Sequence, residues 1–590
     1  MSTTNETRRR FMAHFSAIGL GSALVPGVLW ARMQDAGAKK VTLEMVTDAL
    51  KLSGMELSES ERQSLVDSAN QNLSGYEKLH QTHIPNDVSP PFHFSAIVPG
   101  IEISKTRQPF RMSVVPSLKR PANLEDAAFW PLRHLSELIR TKQVTSTELT
   151  EMYLARLHRY QPKLNFVVTF LDDVARQQAK QADAEIAAGK YKGPLHGIPW
   201  GCKDIISVKG YKTTWGSPAF KDQVFDYDAS VVEMLRDAGA VLLAKLSTGE
   251  LAGGDQWFGG QTKNPWDPAQ GSSGSSAGPA SATAAGCVAF GIGSETSGSI
   301  LSPSARCGLA GLRPTFGRVS RYGVMALSWT QDRLGPLCRY AEDTAIVMQV
   351  IAKPDGRDMS VSDIPFNWNA QLDIKKLRVG IIKESFDEIT NPTVKQNAQK
   401  VLDTLTSLGV SKFVPLSIPE NGASTVGGFG VESSVFFDEA SRTGKMKEAR
   451  GGARFGGRLV PAVDYLQAQR TRMMMMMDLA KATSGVDVYI VASANAGSVP
   501  PAGPRGQGTR GGGRGNQPQP PQTPAQRHST MANSACYPAM NIPNGLSDSG
   551  TPTNVTFFAQ PFHELEIIAL AKAYQDVAGF HLKHPTKMDS

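Results

Sequence analysis

GSSGSSAGPASATAAGCVAFGIGSETSGSILSPSARCG, from Gly271 to Gly308, is the run around which the rest of the chain is organised. Its Gly and Ser content is that of a flexible linker. Its middle is not, because Ala284, Ala285, Cys287, Val288, Ala289, Phe290 and Ile292 are apolar residues that a linker lacks. Glycine permits positive φ and close backbone approach, and serine brings compact hydroxyls and backbone N–H groups to tight turns. An enzyme needs both where it holds a nucleophile beside an anion, so the run reads as a site and not as a spacer.

On either side of it, helical and strand-like patterns alternate. Before it, HLSELIRTKQVTSTELTEMYLARLHRYQP has apolar residues at helical spacing, LNFVVTFL reads as a strand, DVARQQAKQADAEIAAGK as a helix of good formers, and AVLLAKL as a buried strand. After it, LRVGIIKES and VDVYIVAS read as buried strands and VKQNAQKVLDTLTSLG as a helix. Strands and helices in turn predict an α/β fold, a large mixed β-sheet core flanked by helices on both faces. Residues 41 to 80 predict a small helical extension, two helices broken near Ser53-Gly54, the second opened by Ser58 with Glu61 at capping-box spacing. The expected division is an export signal over 1–38, the extension and a wrapping segment over 39–124, and the main domain over 125–590. Within the last, the Gly/Pro/Arg-rich insert 500–527 is expected to be disordered.

The export signal is inferred from Thr7 to Met12, which resemble the twin-arginine pattern with Arg8 and Arg9, followed by a moderately apolar stretch and a small-residue triplet at Ala36 to Ala38. Gly19, Gly21, Pro26 and Gly27 make that stretch a poor spanning helix. A periplasmic or secreted protein without a stable membrane anchor is therefore expected. The net charge of +8 invites a nucleic-acid reading, but Arg8, Arg9 and Arg10 lie at the extreme N-terminus and Arg505, Arg510 and Arg514 in a Gly/Pro/Gln-rich segment, and without these six the formal excess is only two. No nucleic-acid partner is expected. The 5 cysteines are scattered, with no metal-ligand spacing, and are expected as buried free thiols.

Several hydrolase arrangements compete for the chemistry. GSSAG, Gly274 to Gly278, fits a GxSxG nucleophile elbow centred on Ser276, but that elbow requires a strand immediately before it and NPWDPAQGSS is no strand. No HExxH, P-loop or dinucleotide fingerprint occurs, so neither a metal site nor a cofactor is expected. His196 and His528 have no Asp at a recognisable spacing and read as packing residues. A serine nucleophile without histidine needs another base, and a desolvated lysine can serve. Lys203 in LHGIPWGCKDIISVKG, followed by an Ile-Ile pair, is the candidate, against the plainer reading of a surface lysine paired with Asp204.

HGIPWGCKDIISVKGYKTTWGS, AVLLAKLSTGELA, NPWDPAQGSSGSSAG, GSETSGSILSPSARCGLAGLRPTFGRVSRYGV and DRLGPLCRYAEDTA, with DYLQAQRTR and MANSACYPAMNIPNG farther on, resemble the amidase signature family over about residues 125 to 585. The resemblance implies amide hydrolysis by a Ser-Ser-Lys triad. The family's lysine falls on Lys203, its bridging serine, in a cis peptide, on Ser275, and its nucleophile on Ser299; backbone N–H groups of Thr296, Ser297, Gly298 and Ser299 would receive the oxyanion. It also implies a small-molecule amide as partner, a glutaminase (A) subunit of a tRNA-dependent amidotransferase or a catalytically impaired binding protein as alternatives, and a homodimer as an open option. Glu295 stands for the family's Asp, Ser297 for a Gly and Leu301 for an Arg. Arg306 is the expected substitute partner for Glu295. Asp332 is expected either on the substrate side or as a loop cap, and the run Met473 to Met477 partly in the core and partly along a substrate channel.

Overall fold

The computed structural model describes residues 40–52, 55–81, 107–420, 422, 428–492 and 522–589. The export signal over 1–38 lies outside the described residues, as does 500–521 of the insert. Residues 524–527 depart from the disorder expected of them. They open the helix Pro524–Ser534, because Thr523 and Gln526 form a reciprocal capping box and proline occupies its first turn.

The strands, in chain order, are β1 (Val167–Phe170), β2 (Pro199–Lys203), β3 (Val241–Leu246), β4 (Gln256–Trp257), β5 (Gly260–Gln261), β6 (Lys263–Asn264), β7 (Asp267–Gly271), β8 (Phe290–Glu295), β9 (Ala310–Arg313), β10 (Arg333–Cys338), β11 (Val379–Ile381), β12 (Phe413–Pro415), β13 (Val488–Ala492), β14 (Ala539–Leu546) and β15 (Pro552–Phe558). Eleven of them form one mixed sheet in the order β1-β3-β2-β8-β10-β9-β14-β15-β13-β11-β12, while β4-β5 and β6-β7 are small hairpins. Pairing is parallel for β3-β2-β8 and for β13-β11-β12 and antiparallel elsewhere. Helices flank the sheet, among them Ser146–Leu164, Asp172–Ala187, Ala341–Ile351 and Glu564–Ala578.

Buried parallel strands read as continuous apolar runs because both faces are covered. β3, VLLAKL, is buried at every position. Leu243 is fully buried, so its truncation to alanine should cost about 2–5 kcal/mol. The Trp200 ring on β2 stacks over Phe290 on β8 with centroids 5.9 Å apart, tying together the two strands that carry the site. In the extension, Leu43–Leu52 and Glu59–Gln81 are the two expected helices. Glu61 Oε2 accepts from the Ser58 N–H at 2.9 Å, and the pair packs Val46, Leu50 and Leu65 against Phe455. All 5 cysteines are free and buried.

Candidate active site

β2 and β8 are parallel neighbours, Cys202 facing Ile292, so their C-terminal ends deliver Lys203 and Glu295 to one edge of the sheet. Alternation along the strand then separates Lys203 from its neighbour. Asp204 is taken by Lys245 at 2.8 Å, both fully buried, which sets aside the surface ion pair considered for Lys203. Nζ of Lys203 instead lies 2.7 Å from Ser275 Oγ and 2.9 Å from Ser294 Oγ. Its side chain is wholly buried. Burial pushes the ammonium down to about 7, against the opposing pull of Asp332 and Glu295.

Ser275 precedes the helix Ala277–Ala284, and the Gly274–Ser275 peptide is cis. Ser276, the elbow serine in the sequence, is a buttress: its Oγ donates to the Ser294 carbonyl at 3.1 Å and accepts from the Ser294 N–H at 3.2 Å. Only glycine fits opposite it, since a Cβ on Gly293 would lie 2.6 Å from that Oγ. The Ser276 N–H donates to the Ser299 carbonyl at 3.1 Å, which draws the turn after β8 against the start of this helix. Thr296 is buried, Ser297 exposed, and Gly298 and Ser299 half-buried, so the turn reaches solvent where Lys203 and Ser275 do not. Gly298 has φ +89°, a conformation that side-chain-bearing residues rarely adopt.

Sequence reasoning misassigned the brace of this turn. Arg306 turns away, to Gln270 Oε1 at 2.5 Å and the Gly271 carbonyl at 3.4 Å. The partner of Glu295 is Arg313 on β9, at 2.9 Å, while the other carboxylate oxygen accepts from the N–H groups of Ile300 and Leu301 at 2.8 and 2.9 Å. Burial pushes the Glu295 carboxyl up, but Arg313 and Arg333 outweigh it and hold it below its usual range. A second brace comes from β10, where Arg333 faces Glu295 in register and its Nη2 donates to the Thr296 carbonyl at 3.0 Å. Both guanidiniums also donate to Asn533 Oδ1, at 2.7 and 3.2 Å. Arg313, Arg333 and Asn533 lie within the stretches that resemble the family, GLAGLRPTFGR, DRLGPLC and MANSACYPAM, but sequence reasoning gave none of them a role.

Asp332 takes the loop-capping role considered for it. It accepts from the Leu327 and Ser328 N–H groups at 2.7 and 2.9 Å, and it takes the Thr296 hydroxyl at 2.5 Å. Burial raises its pKa, partly offset by these donors. It also lines a cavity of ≈ 210 Å³ that meets the site at Ser294 and Thr296 and runs past Ile205 and Met325 to Trp329. The run Met473 to Met477 lines none of it: Met475 and Met476 pack with Ile382, Leu416 and Leu479, and Met477 is exposed. His196 and His528 are packing residues, the latter 2.9 Å from the Tyr489 hydroxyl.

This is the architecture of enzymes that hydrolyse carbon–nitrogen bonds. The native peptide amidase from Stenotrophomonas maltophilia superposes with a TM-score of 0.64 at 27% identity, covering 79% of this chain and 100% of its own. The chain belongs to the amidase family, whose model, described as Amidase, matches residues 148–568. It is 34% identical over 486 residues to AmiD of Mycobacterium tuberculosis, spanning 79% of this chain and 98% of that protein. It is 32% identical over 488 residues to the A subunit of the Glutamyl-tRNA(Gln) amidotransferase from a Sulfurihydrogenibium species, spanning 77% of this chain and 98% of that protein. The protein is an amidase-family hydrolase of amide bonds.

Proposed function

We propose that the chain hydrolyses a small-molecule carboxylic amide through an acyl-enzyme on Ser299, with Ser275 and Lys203 as the proton relay. The observation that carries this reading is the wholly buried Lys203 amine 2.7 Å from Ser275 Oγ, with its pKa brought down to about 7. As a neutral amine it takes the Ser275 proton while Ser275 takes the proton of Ser299, and Ser299 Oγ bonds to the amide carbon. The oxygen of the tetrahedral intermediate is met by backbone N–H groups of the turn at Thr296, Ser297, Gly298 and Ser299, fixed donors that need no reorganisation during the reaction. Ser275 then gives its proton to the departing nitrogen as the C–N bond breaks, and Lys203 returns the proton it holds. Water, deprotonated by the same pair, cleaves the acyl-enzyme.

The glutaminase reading draws on the likeness to the amidotransferase component, which is no greater than the likeness to AmiD, and no feature of the site singles it out. The impaired-homologue reading is opposed by the braces from Arg313 and Arg333, which take over the turn although Leu301 stands where the family has arginine. Export by the twin-arginine route is a further part of the proposal, resting on Thr7 to Met12; a reporter fused to residues 1–38 and scored with Arg8 and Arg9 both changed to Lys tests it. For the chemistry, a panel of amides, esters and urethanes is run on the wild type beside Lys203→Ala. Loss of amide turnover by on the order of a thousandfold or more is expected of the variant. Retained amide turnover rejects the relay.

A further inference from the structure

The cavity that opens beside Ser294 and Thr296 ends at Trp329, which is 44% exposed at its mouth. The loop that carries this ring is pinned from several directions. Asp332 caps it through the Leu327 and Ser328 N–H groups, and Glu432 accepts from the Thr330 N–H at 3.0 Å and the Thr330 hydroxyl at 2.7 Å. Arg321 donates to the Trp329 carbonyl at 2.7 Å and Arg472 to the Thr330 carbonyl at 3.0 Å. A ring on so constrained a backbone loses little further freedom when a ligand packs on it. It is also the outermost member of an aromatic cluster. Phe436, another lining residue, stands edge-on to it at 6.3 Å and packs in turn on buried Trp215 and Phe437, at 5.7 and 4.9 Å.

The charged groups of the wall are engaged within the protein. Arg321 gives its three nitrogens to Asp358, Ser360 and the Trp329 carbonyl. Arg357 pairs with Glu233, donates to the Ser230 hydroxyl and lies over the Tyr322 ring, 4.2 Å from its centroid. Both Asp332 oxygens accept hydrogen bonds, and Arg333 holds the Thr296 carbonyl while its Nε and Nη1 are shut off from solvent. A charged substituent would be desolvated here without a partner, which is unfavourable. The surface left for a ligand is Ile205, Val324, Met325 and Leu334 along the wall, with Trp329 and Phe436 at the mouth. The volume of ≈ 210 Å³ exceeds the roughly 150 Å³ of an apolar cavity that binds benzene, which leaves space for a short linker beside one ring.

We infer that Trp329, with Phe436, is a specificity-determining residue that receives a single uncharged aromatic ring of the substrate, so that the enzyme selects amides carrying an aryl group a short linker away from the scissile bond. This rests on the proposed amidase chemistry at Ser299. It departs from the glutaminase alternative, whose substrate carries a carboxylate and an ammonium at the end remote from the amide.

Two series of substrates separate the acyl side of the scissile bond from the amine side. The first compares ω-phenylalkanamides of one to three methylenes with their methyl-ended and cyclohexyl-ended counterparts. The second makes the same comparisons among N-substituted acetamides. In one series the best phenyl substrate should exceed its methyl counterpart in kcat/KM by on the order of 10- to 100-fold, mostly through KM, because the ring is buried. It should exceed its cyclohexyl counterpart by about 2- to 10-fold, the contribution of ring–ring geometry. Trp329→Ala should lower the phenyl-to-methyl ratio by about fivefold or more, whereas Trp329→Phe should keep at least about a third of it. Trp329→Leu, which retains apolar bulk, should lower the phenyl-to-cyclohexyl ratio by about twofold or more, and it carries both comparisons if Trp329→Ala does not fold. Wild-type ratios near one in both series overturn the inference. So does a fall in kcat on every substrate with the ratios unchanged in the variants, which is the mark of a residue that only holds the loop. Faster turnover of succinamate than of butanamide overturns the uncharged assignment. Absence of turnover throughout, with Ser299 also inert to a serine-reactive probe, removes the amidase reading and the inference with it; labelling of Ser299 without a phenyl preference removes the inference alone.

Discussion

Replacing Lys203 by methionine should abolish activity and make the protein more stable at neutral pH. The lysine is fully buried, and its ammonium pKa falls from the usual 10.5 to about 7. At pH 7 the unfolded chain holds that proton and the folded one half releases it, so burial costs on the order of 5 kcal/mol. Methionine of similar length carries no such penalty. It does leave Ser275 and Ser294 without the amine at 2.7 and 2.9 Å, a loss of about 1 kcal/mol each, so the net gain is about 3 kcal/mol. The sign follows from proton counting. Between the folded value near 7 and the unfolded value of 10.5, the unfolded state binds the extra proton, so wild-type stability rises with pH across that window. The advantage of Lys203→Met is therefore full below pH 7 and should shrink by about 2 kcal/mol between pH 7 and 9. Scanning calorimetry of both proteins at pH 6, 7, 8 and 9 reads this as a melting-temperature difference of several degrees that narrows with pH. A variant no more stable than wild type at pH 7, or an advantage independent of pH, would refute the assignment of a desolvated lysine.

Three further outcomes follow from the same geometry. The kcat/KM for amide hydrolysis should rise about tenfold per pH unit below 7 and level off above it, because only the neutral amine accepts the proton; a rise continuing toward pH 10 would return Lys203 to an ordinary environment. Arg313→Met, which strands the buried Glu295 carboxylate, should destabilise by about 3–5 kcal/mol and cut kcat at least tenfold, whereas Arg306→Leu should leave kcat within about threefold; denaturation and turnover of the two variants side by side decide it. Ser276→Ala should lower stability by about 1–2 kcal/mol, by loss of its bonds to Ser294, and still yield a protein labelled at Ser299 by a fluorophosphonate, whereas loss of labelling in a folded variant would restore Ser276 as a candidate nucleophile.

The sequence disclosed elements whose signal is local. β1, β3, β11 and β13 are short apolar runs of the kind that buried strands require, and the extension announced its second helix through Ser58 and Glu61. β9, β10 and β14 went unread because they carry Pro336, Pro543, Arg313, Arg333 and several glycines, residues that lower strand propensity locally and are accommodated by pairing with distant strands. The same non-locality explains the site. Lys203 could be suspected from the apolar residues around it, but the partner of Glu295 could not be chosen by proximity in sequence. Arg306 is the nearer arginine and lies on the helix Leu301–Cys307 facing Gln270, while Arg313 is brought to Glu295 across β10. Asn533, between two guanidiniums, lies 220 residues from Arg313 and 200 from Arg333. Only the helix that holds it, opened by Thr523 and Gln526, could have been found by capping chemistry, and it begins inside a segment whose composition read as disordered.

Whether Ser299 is the nucleophile, activated through Ser275 by Lys203, is decided by mass spectrometry of the protein after exposure to a fluorophosphonate. One adduct per chain is expected, located by peptide mapping on Ser299, absent from Ser299→Ala and strongly slowed in Lys203→Ala. An adduct on another serine, or labelling of Lys203→Ala at the wild-type rate, would contradict it.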